Sequence, residues 1–453
     1  MAYTDLRQFL SDLGTDLVRV KESVDPRFEV AAVLKALGDQ HPAVMFSNVR
    51  GYAGASICGN LLGKRSRLAR AFGTTAEKLA AVYLERKGRG IATVDCHGKA
   101  PVKEVIKRDP DDLLALLPIL THYEKDAAPF ITSGVVLAKD PATGRRAMGI
   151  HRMMVHGGNR LGVFLANPPL SQFLENAEKE GKPLEVAVAL GLEPATLVAA
   201  VVKAGSTGPD KLEIAGALRD EPVELVRAES VEIDVPAHAE IVIEGKVLPG
   251  VRMKEGPFGE NTGYYFTNES PVIEISAVTH RDGFVYPGLC PWTADVDSLL
   301  SLAAGTELLW QLQRHVGAVA DLEMLGGTIG FSAVISVGRC STSEVRRLIQ
   351  LALSLDKRLK SVTVVDDDVD IRDPREVAWA MATRYQPSRD TLTIDRTEPY
   401  VIDPSAVALG CGSKIGFDAT KGTGPEYEKV VIPKDARSRA QTLLAGIVQA
   451  PTC

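Results

Sequence analysis

The sequence predicts a multidomain α/β protein, and three observations carry that prediction. A chain of 453 residues is longer than one hydrophobic core organises, so two or three domains are expected. Both ends of the chain alternate strand-like and helix-like patterns, the signature of α/β layers. The middle reads instead as many short strands separated by Gly and Pro turns, which suggests a sheet-rich or barrel-like unit.

The N-terminal unit is expected over 1–115. Asp25-Pro26 opens a helix with Asp as N-cap and Pro at the first helical position, and Gly38 closes it. Pro42 to Phe46 follows as a short buried strand, and Thr75 to Lys87 as another helix. Around Asp109-Pro110 the composition shifts to a leucine-rich helix and then a loop. The central unit, 116–295, takes its strands from Ser133–Leu137, Val186–Leu190, Leu197–Val202, Ala239–Glu244 and Val272–Thr279. Helices are inserted at Pro169–Glu180 and Pro209–Arg219. In the C-terminal unit, 296–453, one long apolar helix is expected from Asp297 to Val316. Ser341-Thr-Ser-Glu344 is a capping box for a helix to Leu355. Ser361–Val365 is a buried strand, Asp373-Pro374 opens a helix through Arg384, and a last helix follows Pro433.

Composition excludes several function classes. The net charge of -6 and a longest basic cluster of only Lys64-Arg65-Ser66-Arg67 leave no basic stripe for a nucleic acid. The six cysteines are scattered with no Cys-x-x-Cys pair, which reads as reduced thiols rather than a disulfide frame. No basic start leads into an apolar run at the N-terminus, and no stretch reaches the ~18 apolar residues of a membrane span. A cytoplasmic protein is the expectation.

Four stretches are candidates for chemistry. Lys254 to Tyr265 carries Glu255 and Glu260 among glycines, a proline and aromatics. It reads as a rigid turning loop. Two carboxylates near apolar surface suit proton transfer, and equally a solvated turn. Met148 to Val155 places Arg152 within an apolar strand, where an arginine needs a carboxylate partner or a carboxylate substrate. His151 and His156 lie beside it without metal-ligand spacing. Gly410 to Gly416, with Lys414, is either a backbone cradle for an anion or a simple turn, and its spacing is not that of a P-loop. The acidic run Asp366 to Asp370 lies between a strand and a helix N-cap, a structural position.

Taken together, three segments resemble the UbiD family of prenylated-FMN-dependent decarboxylases. They are Gly149-Ile-His-Arg152; Glu255-Gly-Pro-Phe-Gly-Glu260 with Thr262-Gly-Tyr264; and Trp379 to Arg384 leading to Gly412 to Thr420. They stand in the family's order, and the resemblance covers nearly the whole chain. It implies a central split β-barrel of the flavin-reductase type that binds the cofactor, and a C-terminal α/β domain ending in a dimerisation helix. Arg152, Glu255 and Glu260 are implied as the catalytic network, with Arg152 orienting the substrate carboxylate and Glu260 reprotonating carbon. Gly149, Ile150, His151, Arg152 and Lys414 are implied at the cofactor, with Lys414 near its phosphate.

The reaction implied is reversible, non-oxidative decarboxylation of an aromatic, heteroaromatic or α,β-unsaturated acid. CO₂ is the co-product, a flavin prenyltransferase supplies the cofactor, and the assembly is a homodimer or a dimer-based oligomer. A divalent metal such as manganese, with potassium, accompanies the family's cofactor. Its usual ligands are absent: Ala147 stands for an asparagine, Lys211 for a glutamate, and no histidine lies near Gln172. No metal site is therefore assigned, and Lys211 is expected to replace the metal's charge beside the phosphate. Two other readings stand beside this one, a flavin-binding oxidoreductase and a non-catalytic subunit of a carboxylase complex.

Overall fold

The structure, a computed structural model, describes residues 3–38, 41–203, 209–422 and 429–448. Four sheets organise it. The N-terminal sheet runs Leu17–Val20, Ala43–Phe46, Ser56–Gly59 and then Val285–Pro287, a strand donated from far along the chain. That donation delivers Leu289 to Trp292 to the junction between units. A small sheet joins Asp234–Pro236, Glu224–Arg227 and Val94–Asp95. The C-terminal sheet has the order Val319–Met324, Ser332–Val337, Ser361–Asp366, Gly412–Ala419 and Thr391–Thr397. Helix Thr342–Leu355 covers it with buried Val345, Leu348, Ile349 and Ala352.

The central sheet is antiparallel and positions the site. Its path runs Phe130–Ile131, Met153–Gly157, Arg160–Val163, Tyr265–His280, Ile241–Gly259, Leu184–Leu190, Val135–Lys139 and Arg146–Ile150, with Val105–Arg108 joined to Tyr265–His280. Among the described residues this path does not close into a barrel. Yet Ile150, on the last strand of the path, and Met153, on the second strand from its other end, are separated only by His151 and Arg152. Two residues span at most ~10 Å between their flanking Cα atoms, so the sheet curls until its ends meet at Arg152. Val136, Val155, Leu161, Val186, Val188, Ile243 and Ile273 fill the inside of that curl.

Several expectations are corrected. Leu197–Val202 is not a strand but most of the helix Pro194–Val201. Glu193 caps it through Ala195 N (2.6 Å) and Thr196 N (2.9 Å), with Pro194 at the first position. The helix is buried nearly all round, so it shows no amphipathic period. The first expected helix begins at Glu29, because Asp25 turns its carboxylate onto Arg27 N (2.7 Å) as an Asx turn. Helix Leu79–Lys87 likewise starts later than Thr75. The leucine-rich segment is only a 3₁₀ turn, Leu113–Ala115.

The helix expected over Asp297–Val316 is interrupted. It comprises Ala294–Leu300, a π-turn at Ser301–Gly305, and Thr306–His315. Such turns concentrate at functional sites, and this one adjoins the cavity described next. The expectations for Ser341, Asp373 and the helix at 209–219 hold: the Ser341 capping box forms, Asp373 accepts from Arg375 N, and the third helix proves to carry a capping box of its own at Asp210. The last helix is Lys434–Val448. No helix among the described residues is long and apolar enough to cross a membrane.

Candidate active site

The segment Lys254 to Tyr265 is not the loop the sequence suggested. Residues through Gly259 belong to strand Ile241–Gly259, hydrogen-bonded to Tyr265–His280. On a regular strand, residues five apart point to opposite faces. Here Glu255 pairs with Asn268 and Phe258 with Phe266, so one extra residue is accommodated between them. That bulge puts Glu255, Phe258 and Glu260 on one face. Gly256 makes it possible: its φ is 101°, and a Cβ there would lie 2.4 Å from Phe266 O.

Arg152 meets that face from the point where the sheet ends join. Its Nε donates to Glu255 Oε1 at 2.7 Å, and its Nη1 donates to Glu260 Oε2. Ser270 Oγ holds the second oxygen of Glu255, and Asn261 N donates to Glu260 Oε1 at 2.8 Å. Phe164 and Phe258 flank the guanidinium, with ring centroids 4.2 and 5.3 Å from its carbon, a cation–π arrangement. Glu255 is 1% exposed and Glu260 6%, so this is an ion triad in low dielectric. Among the described residues Arg152 Nη2 has no partner, which leaves one guanidinium edge for another acceptor.

The triad opens on a cavity of about 280 Å³ between the central and C-terminal units. Ile150, His151, Arg152, Phe164 and Glu260 form one wall, and Leu289, Pro291, Val296, Leu299 and Leu300 another. Arg358, Tyr400, Val401 and Ile402 come from the C-terminal unit. Arg358 is tied to Asp356 through Nε at 3.1 Å and Nη2 at 2.5 Å. Burial raises the Tyr400 phenol, Arg358 pulls it back, and Asp356 and Glu260 add to the rise. Tyr400 therefore faces both Arg358 and the triad.

His151 donates from Nδ1 to Phe164 O at 2.8 Å, and burial pushes its pKa down to about 4. Lys211, whose field adds to that depression, opens helix Lys211–Arg219. Its Nζ donates to Ala200 O at 2.7 Å, and burial lowers it to about 8. Lys211 is thus held inside beside Arg146, Ala147 and Met148, and it does not line the cavity.

Lys414 is corrected. It lies in strand Gly412–Ala419, not in a glycine loop. Its Nζ is spent on Leu353 O (2.7 Å), Lys357 O (3.3 Å) and Asp356 O (3.4 Å), the carbonyl end of helix Thr342–Leu355. It is absent from the cavity wall. The Asp366–Asp370 run is structural as expected: Asp366 and Asp368 receive Arg384 at 2.8 and 2.9 Å. No group of three or more His, Cys, Asp or Glu able to hold a metal occurs among the described residues.

One buried histidine escaped the sequence reading. His122 has no hydrogen-bond partner at either ring nitrogen among the described residues, and burial lowers its pKa to about 3. Its Nδ1 lies 3.9 Å from Asp126 Oδ2, but a neutral imidazole makes no ion pair there. Between pH 4 and 6.5 the unfolded chain binds a proton at this position and the folded chain does not. Stability from this group is therefore complete above about pH 6.5 and falls as pH drops, by on the order of 5 kcal/mol at most. Melting temperatures from pH 7.5 to 4.5 should fall less steeply for His122→Phe than for wild type; equal slopes would refute the assignment.

A curled antiparallel sheet thus brings a buried Arg between two Glu to the edge of an apolar cleft, an arrangement chemically able to bind an anion and to exchange a proton. Comparison with known proteins gives that arrangement its family. Family models for the N-terminal, Rift-related and C-terminal domains of 3-octaprenyl-4-hydroxybenzoate carboxy-lyase match residues 14–87, 94–294 and 298–419. The chain belongs to the UbiD family of carboxy-lyases. It is 32% identical over 426 residues to anhydromevalonate phosphate decarboxylase of Methanothermobacter thermautotrophicus, covering 92% of this chain and 96% of that protein. The UbiD-class enzyme HmfF from Pelotomaculum thermopropionicum in complex with FMN superposes with a TM-score of 0.92 at 38% identity, covering 96% and 99%. An evolved dimeric form of that enzyme in complex with prFMN gives 0.88 at 38%, covering 96% and 98%.

Proposed function

We propose that this chain catalyses reversible, non-oxidative decarboxylation of an aromatic, heteroaromatic or α,β-unsaturated carboxylic acid with prenylated FMN bound in the interdomain cavity. The observation that carries the proposal is Arg152 held between buried Glu255 and Glu260 at the edge of that cavity. The lining suits a flavin. Ile150, Phe164, Leu289 and Leu299 offer apolar faces for a flat ring, and the Gly149–Arg152 segment runs alongside them. We also read the curled central sheet as a split β-barrel, since its two ends meet at His151–Arg152.

When bound, prenylated FMN would supply the electron sink that a departing carboxylate on an sp² carbon requires. The protein's own groups do the rest. Arg152 Nη2 takes the substrate carboxylate, while Glu255, itself fixed by Ser270, stops the guanidinium from turning. Glu260 takes up one proton from solvent and delivers it to carbon once CO₂ has left, and Arg152 stabilises the carboxylate that remains. Phe164 and Phe258 keep water from the reacting carbon. The geometry favours this over hydride transfer, which needs no carbon-protonating acid. A complete triad also argues against a non-catalytic subunit.

On the phosphate side the described residues offer no group of three or more His, Cys, Asp or Glu for a divalent metal. Lys211 is the cation proposed there, since it is buried beside Met148 and its field reaches His151. Flavin content of the purified protein should resist EDTA in wild type and fall severalfold in Lys211→Met. Flavin lost to EDTA and restored by manganese would contradict this. For assembly we propose a dimer through helix Lys434–Val448, beside which Val430, Val431 and Ile432 stand exposed.

The test of function is co-expression with a flavin prenyltransferase followed by a screen of aromatic and acrylic acids for CO₂ release. A phosphate-bearing unsaturated acid belongs in the panel, given the activity named for the archaeal relative. CO₂ from the loaded protein, and none from protein made without the prenyltransferase, is the expected result. Nicotinamide-dependent flavin reduction with no CO₂ from any acid would favour the oxidoreductase reading instead.

A further inference from the structure

The turn that carries Glu260 protrudes into solvent. Tyr264 at its tip is 62% exposed and Tyr265 41%, and hairpin ends with exposed backbone open easily. Proton delivery tolerates no such looseness. A general acid works within hydrogen-bond reach of its target, and a misplacement of ~1 Å can cost ~10²-fold in rate. Something must fix the base of the turn from outside.

The segment His122–Ala127 does so. The Asp126 carboxylate is fully buried. Its Oδ1 accepts from Gly259 N at 2.8 Å, the residue directly before Glu260. Its Oδ2 accepts from Tyr123 N at 2.9 Å and His122 N at 3.0 Å. Ala127 N donates to Pro257 O at 2.8 Å, inside the bulge. Lys125 N donates to Tyr265 Oη at 3.2 Å, across the turn. The Tyr123 ring fills the space over Gly259, where a Cβ would lie 2.2 Å from it, and its hydroxyl donates to Pro291 O at 2.7 Å. His122 meets Phe258 edge-on with centroids 6.4 Å apart, and Phe258 is the ring against Arg152. The bulge is thus gripped at Pro257, Phe258 and Gly259 by one short segment, and Asp126 is the side chain common to both sides of the grip.

We propose that Asp126 is a positioning residue for Glu260: its buried carboxylate clamps the Gly259 N–H to the His122–Tyr123 backbone, so that the Glu255–Glu260 bulge keeps a single geometry against Arg152. The proposal rests on the function proposed above for its catalytic consequence, but not for the clamp itself. A carboxylate is the group that suits three N–H donors with no donor of its own. Asparagine at this position keeps the shape but turns an NH₂ against N–H groups.

Two measurements on flavin-loaded, full-length Asp126→Asn decide it. Amide hydrogen exchange should quicken about tenfold or more in peptides spanning 255–265 and stay unchanged in the C-terminal sheet; this arm reads the clamp whether or not the chain releases CO₂. In turnover, kcat should fall by ~30-fold or more with KM for the acid within about threefold and flavin content unchanged. The solvent deuterium isotope effect on kcat should rise as proton delivery becomes limiting. Unchanged exchange overturns the clamp. Faster exchange with wild-type kcat, or a rate loss matched by lost flavin-loaded sites at an unchanged isotope effect, overturns the positioning role. Should Asp126→Asn fail to fold, Asp126→Ser, smaller and retaining an acceptor, is read by the same criteria. No CO₂ from wild type would fail the proposed function alone, leaving the exchange arm to decide the clamp.

Discussion

Glu260→Gln should lower kcat by about 10³-fold, within the range that a positioned general acid contributes, while leaving the flavin bound. The amide keeps the size of the carboxyl, and its single oxygen can still accept from Arg152 Nη1. Glu260 meets Arg152 and Asn261 N with separate oxygens, so the contact to Asn261 N is given up. What it cannot do is surrender a proton to carbon. Because the change is nearly isosteric, KM for the acid should move little, and the loss should fall on kcat and kcat/KM together. Single-turnover CO₂ release is the informative measurement. If CO₂ still leaves once per site while product formation stops, the block lies at reprotonation. A Glu260→Gln enzyme with full activity would remove it as the acid.

Arg152→Met should cost both activity and stability, and the two losses should be separable. Removing the cation leaves Glu255, 1% exposed, and Glu260, 6% exposed, as neighbouring carboxylates without compensation. Breaking a buried ion network from one side costs on the order of 3–5 kcal/mol. Methionine fills much of the volume between Phe164 and Phe258, so the loss is electrostatic rather than a cavity. Adding Glu255→Gln in the same chain should restore much of the melting temperature, because one stranded charge is gone. Activity should stay absent, since no group remains to seat the substrate carboxylate. Recovery of turnover in the double variant would show that Arg152 is only a structural counter-ion.

What the sequence made legible was local chemistry. The capping box at Ser341 and the Asp373-Pro374 opening depend on residues three or fewer apart, and they formed as expected. The segments holding Arg152, Glu255 and Glu260 were recognisable, but their geometry was not. Five-residue spacing says nothing of a shared face until the bulge at Gly256-Pro257 is seen in its pairing with Asn268 and Phe266. Leu197 to Val202 was misread because a uniformly buried helix and a buried strand are both plain apolar runs. The stretch around Lys414 was read as a turn because glycines flank it, whereas it is a strand from which Lys414 caps a neighbouring helix. Arg358 and Tyr400 carry no local signal at all. They reach the cavity only because the C-terminal unit docks against the curled sheet. Asp126 had a faint one, an acidic residue after His-Tyr and before Ala-Ala-Pro-Phe, but its meaning needs the partner at Gly259.

The central claim is that Glu260, held by Arg152, exchanges a proton with the reacting carbon. By microscopic reversibility the loaded enzyme must then also remove that proton from the decarboxylated product. Incubating the product of the best substrate with loaded enzyme in D₂O, and following deuterium at that one carbon by NMR, tests this without reliance on net turnover. The account predicts deuterium incorporation with wild type and none above background with Glu260→Gln at equal flavin content. Exchange at the wild-type rate in Glu260→Gln would contradict it.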